Sequence, residues 1–152
     1  MDKIELLDKI SKISIYLLVF LIPIFFLPFT QNVLDFQKQF LLIVLVSISF
    51  ICQIIKFLIA GKTSFSFHHF HFLILVTLLI FGLSTLLSKS RTESFFGFPL
   101  TISQSFLTLL FLTIFYFLIN LVFDKKEIFF LLFFFSISIL LATLFSTLNL
   151  FG

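Results

Sequence analysis

The sequence predicts an all-α integral membrane protein, a bundle of five transmembrane helices preceded by a short amphipathic interfacial helix. Three observations predict it. The chain is 61% hydrophobic with mean hydropathy +1.27, against roughly 45–50% apolar residues in soluble domains. Its apolar residues fall into five runs, 13–29, 40–59, 70–87, 102–123 and 128–148. A helix rises about 1.5 Å per residue, so about 20 apolar residues cross a hydrocarbon core about 30 Å thick, and each run comes close to or exceeds that. Only short polar hinges remain, which leaves no room for a separate soluble domain.

Residues 1–12 alternate charge with Ile4, Leu7 and Ile10, and Ile13 continues the spacing. Glu5 with Lys9 and Asp8 with Lys12 are favourable i,i+4 pairs, so the segment reads as an amphipathic helix at the membrane interface. Its acids, the long run after it and the exit Leu27-Pro28-Phe29-Thr30-Gln31 do not fit a cleaved signal peptide. Pro23 predicts a kink in the first span. In the second, Lys56 can snorkel to the interface, and Gln53 reads as an interhelical hydrogen-bonding group, as does Asn120 in the fourth. Small residues mark packing faces: Ser138, Ala142 and Ser146 on the fifth span, Ser84 and Ser88 on the third.

Seven of the ten Lys and Arg residues (Lys3, Lys9, Lys12, Lys56, Lys62, Lys125 and Lys126) flank one set of span ends. Lys38, Lys89 and Arg91 flank the other. Positive charge favours the cytoplasm, which predicts a cytoplasmic N-terminus and outward-facing first and third hinges. The last apolar run reaches to within a few residues of Gly152, and the chain reads as the N-terminal part of a longer multi-spanning protein. A complete five-span protein is the alternative.

Composition also excludes. A net charge of +3 spread over several hinges gives no basic stripe, so no nucleic-acid partner is expected. Cys52 is the single cysteine and lies in a span, which rules out an internal disulfide. The 28 Phe residues reflect an AT-rich codon bias rather than a Phe-specific function. No ionisable group lies at a span centre, against a pump or proton relay. His68, His69 and His71 lack a nearby carboxylate or cysteine and read as interfacial anchors, so no metal or other cofactor is expected. The third hinge, Ser88 to Pro99, is the strongest candidate site. Lys89 and Arg91 either solvate it, paired with Glu93, or grip a phosphate or pyrophosphate at the membrane surface. With Asp35 and Glu93 the outward acids and no outward histidine, no catalytic nucleophile–base set is present.

The order LIPIFFLPFTQNVLDFQKQFLL, KFLIAGK and GLSTLLSKSRTESFFGFP resembles the N-terminal region of bacterial O-antigen ligase-like membrane proteins, a group that includes related polymerases. The shared features are the proline-bearing first span, D-F-x-K-Q opening the second, and S-T-x-x-S…S-x-x-G in the third hinge. The resemblance covers nearly all of this chain but only about the first third of such a protein. It implies a place in the bacterial cytoplasmic membrane within a larger GT-C-like helical fold. It also implies transfer of a glycan from undecaprenyl pyrophosphate to an acceptor on the outer face, without metal or nucleotide. Lys89 and Arg91 match the outward basic residues that hold the pyrophosphate. The family's later Arg- and His-bearing loop has no counterpart here, so the isolated chain is expected to be inactive without the remaining C-terminal part. A non-enzymatic assembly subunit that binds a partner through the Ser138, Ala142 and Ser146 stripe is the second reading.

Overall fold

The computed structural model describes residues 3–24, 34–61, 69–97 and 105–151, and all of its regular structure is helical. In chain order the helices are α1 (Lys3–Ile24), α2 (Leu34–Ala60), α3 (His69–Leu87), the short α4 (Arg91–Phe96), α5 (Phe106–Val122) and α6 (Lys125–Phe151). In an apolar solvent a chain must satisfy its backbone N–H and C=O groups within itself, and continuous helices do that.

Among the described residues, three helical stretches are long and apolar enough to cross a membrane: Phe36–Ala60, His69–Leu87 and Lys125–Leu148. The protein is therefore suited to a membrane, with a smaller shown count than the five spans expected. Two elements account for the difference. Helix α5 has 17 residues, about 25 Å of rise, because Ser105 caps it and residues 98–104 lie outside the described set. Helix α1 carries its charges in its first half. The end expected for its span, like the consequence of Pro23 beyond Ile24, falls on residues 25–33, which also lie outside the described set.

The segment expected as an amphipathic helix over residues 1–12 is helical from Lys3 onward and continues without a break into the first apolar run, as α1 (Lys3–Ile24). Ser11, Ser14, Ile15, Leu18 and Val19 are buried, whereas Ile10 and Ile13 are exposed. Lipid accepts an exposed isoleucine, while polar groups gain from partners inside the bundle, so the polar face turns inward.

Helix α1 is the centre of the packing. It lies antiparallel to α2, where Ser11 Oγ and Ser49 Oγ meet at 2.5 Å with both residues fully buried. It runs parallel to α6, whose buried Ser138 hydroxyl donates to the Phe20 carbonyl. The core joins Ile15, Leu18 and Val19 to Leu42 and Val46 of α2, Leu118 of α5 and Leu131 of α6. Helix α3 is peripheral, packed on α5 and α4 with only 6% of its spanning window buried.

Charged groups fasten one end of this assembly. Lys56 Nζ of α2 donates to both carboxylate oxygens of Asp8, each at 2.7 Å, and the Gln53 amide donates to the same carboxylate at 3.3 Å. Lys12 donates to Glu127 Oε1 of α6, and the backbone N–H of Asp124 donates to Glu127 Oε2 at 3.1 Å. Glu127 thus closes half of a capping box while neutralising a lysine on α1. The expected Glu5–Lys9 pair forms at 3.3 Å. Asp8 and Lys12 instead take partners on other helices, because their side chains face α2 and α6. Replacing Lys56 with Met should cost about 1–2 kcal/mol, between exposed and buried ion-pair values, by leaving the Asp8 carboxylate unpaired beside an apolar helix. Unfolding in mixed micelles of a Lys56→Met, Asp8→Asn double-mutant cycle measures it; additive effects would contradict the contact.

Candidate functional site

The opposite end gathers the start of α2, the end of α3, all of α4 and the start of α5. Ser105 N-caps α5 by accepting from the Thr108 N–H at 3.2 Å. From α2 the buried Gln39 side chain donates to Ser105 Oγ and to Thr108 Oγ1, both at 3.0 Å. This contact ties the end of the first hinge to the start of the fourth apolar run.

Helix α4 is held at this end by the residues that follow α3 and by α5. Ser94 donates to Ser88 Oγ at 2.7 Å, and the Phe95 ring packs on Phe106 with centroids 5.7 Å apart. Gly97 ends the helix in the left-handed conformation at φ 75°, its N–H returning to the Glu93 carbonyl. Between α3, α4 and α5 lies a cleft of about 710 Å³ whose polar wall includes Ser84, Ser88, Glu93, Ser94 and Ser105. Ser84 and Ser88, expected to pack against another helix, line this opening instead.

Lys89 and Arg91 are exposed beside the cleft, and neither is among the residues that line it. Among the described residues neither makes an ion pair with Glu93. The hinge therefore separates its charges, with cations outward and the carboxylate toward the opening. Such an arrangement can hold a phosphate outside and hydroxyl groups within. Among the described residues no group of three metal-ligating side chains comes together.

The Ser138, Ala142 and Ser146 stripe divides along α6: Ser138 is buried against α1, Ala142 is half-buried and Ser146 is exposed. His71 is buried in the first turn of α3, with Nδ1 3.0 Å from the Tyr116 hydroxyl and its ring tilted against Phe117. It joins α3 to α5 rather than anchoring at a surface. His69 is exposed, and His68 lies outside the described residues. Gln53 bonds across helices, whereas Asn120 returns to the Tyr116 carbonyl of its own helix at 2.8 Å. Sequence reasoning missed the Gln39–Ser105 and Asp8–Lys56 contacts. A polar residue in register with the buried face of α2 was the available signal for both.

No protein-family model matches the chain, and no curated protein or solved structure matches it significantly.

Ser105→Ala should cost about 1–2 kcal/mol, from a lost cap and a Gln39 amide short of one acceptor. Hydrogen exchange in micelles should quicken at residues 107–110 and stay unchanged in α6. Uniform quickening would contradict a local capping role.

Proposed function

We propose that this chain is the N-terminal helical portion of an O-antigen ligase-like glycosyltransferase of the bacterial cytoplasmic membrane, with its N-terminus in the cytoplasm. In this reading the five apolar runs all cross the bilayer, within a larger GT-C-like bundle. Lys89 and Arg91 seat the pyrophosphate of an undecaprenyl-linked glycan on the outer face. The observation that carries it is the exposure of Lys89 and Arg91 at the bundle end opposite the Asp8–Lys56 cluster, beside a cleft between α3, α4 and α5.

Fixed cations favour such chemistry because the leaving pyrophosphate gains charge as the glycosidic bond breaks. Arg presents a planar fork of donors to phosphate oxygens, and Lys adds a point charge. The acceptor-activating groups lie in the remaining C-terminal part of the protein. What supports the reading is the sequence resemblance together with the position of these two side chains.

Charge-assisted hydrogen bonds contribute roughly 1.5–3 kcal/mol each. A Lys89→Ala, Arg91→Ala variant in nanodiscs should therefore retain undecaprenyl pyrophosphate at least about tenfold less well, with undecaprenol retention unchanged. Equal retention of the pyrophosphate by variant and parent would remove both residues from the mechanism.

A further inference from the structure

The cleft beside Lys89 and Arg91 has a chemistry of its own. Its polar wall carries hydroxyls from three helices, Ser84 and Ser88 from the end of α3, Ser94 from α4 and Ser105 from the α5 cap, with one carboxylate, Glu93. Hydroxyls both donate and accept, and a carboxylate only accepts. Such a wall matches a ligand rich in hydroxyl groups. It does not match an anion, because a negative group placed there meets Glu93, and neither Lys89 nor Arg91 pairs with that acid.

Apolar groups line the cleft beside these hydroxyls. Phe81 lies on the same face of α3 as Ser84 and Ser88, Phe106 follows Ser105, and a ring face of this kind packs against the C–H face of a sugar. Thr85 and Phe106 are shared with a second opening of about 500 Å³, lined almost wholly by apolar side chains between α3 and α5. That groove reaches Leu75, ten residues before Thr85, or about 15 Å along the helix axis. Gly82 shapes it, since a Cβ there would stand 3.3 Å from the Phe106 ring. A hydroxyl-lined chamber at the end of α3 thus adjoins an apolar groove that runs toward the middle of that helix, with Thr85 and Phe106 bordering both.

We propose that these two adjoining openings bind a membrane amphiphile with an uncharged, polyhydroxylated headgroup, such as a hexosyl lipid. The sugar hydroxyls lie against Glu93 and the serines, and a hydrocarbon chain lies in the α3–α5 groove. Glu93 sets the selectivity, accepting hydrogen bonds from neighbouring hydroxyls and repelling anionic headgroups. This site is distinct from the exposed cations and does not depend on their binding a phosphate.

The test places the chain in phosphatidylcholine nanodiscs holding equal amounts of monohexosyl diacylglycerol, diacylglycerol and phosphatidylglycerol with the same acyl chains. Native mass spectrometry then counts the lipids that stay bound. The hexosyl lipid should be retained at least about fivefold over each of the others. Glu93→Ala should lower its retention about fivefold, and Ser84→Phe, which fills the chamber, should abolish the preference. Both positions are exposed, so the helix content read by circular dichroism should be unchanged. Equal retention of the three lipids by the parent chain, or a preference that survives both substitutions in helical protein, would overturn the proposal. Because the hexosyl probe carries no phosphate, the result is separable from the role of Lys89 and Arg91.

Discussion

The arrangement depends on how α1 carries charge into an apolar assembly. Asp8 and Lys12 lie one turn apart on a helix whose neighbours are almost entirely apolar, and each has an oppositely charged partner on a different helix. An unpaired charge at that position would be costly, and the pairing makes the cost conditional on α2 and α6 standing on either side. Those ion pairs fix the order of the three helices at one end. The Ser11–Ser49 contact and the Ser138 hydrogen bond to Phe20 then hold the same order further along. Small residues let backbones approach where lipid supplies no hydrophobic drive between helices.

The two ends of the bundle consequently differ in kind. One end is held by charges that neutralise each other in pairs across helices. At the other, neutral hydrogen bonds through Gln39 and Ser105 bear the structure, while Lys89 and Arg91 stay exposed and Glu93 faces the cleft. Groups already paired in a structural contact offer little to a ligand. At the hydroxyl and hinge end Lys89, Arg91 and Glu93 make no ion pair with one another, and this contrast directs the functional reading there.

Much of the secondary structure was legible from the sequence because every helix but α4, six residues within the third hinge, carries an apolar run, and punctuation with a mechanism bounds several of them. Ser105 caps α5, Gly97 closes α4, and Asp124 with Glu127 opens α6. What sequence spacing could not give was the choice between local and tertiary partners. Glu5 and Lys9 pair along their own helix, but the neighbouring Asp8 and Lys12 look identical in spacing and pair elsewhere. His71 shows the same limit, since nothing in its neighbours' spacing points to Tyr116, 45 residues later. The cleft was legible only as a polar hinge, because its volume arises from the meeting of three helices.

The proposed topology puts the Asp8–Lys56 end and the Lys89–Arg91 end on opposite sides of a bilayer, the first facing the cytoplasm. Cys52 is the sole cysteine, so a Cys52→Ser background permits single reporters at Glu5 and Lys89. Labelling intact cells and inverted vesicles with a membrane-impermeant maleimide is the direct measurement. The Lys89→Cys reporter should react in cells and the Glu5→Cys reporter only in inverted vesicles. Reaction of both reporters from one side would contradict the account.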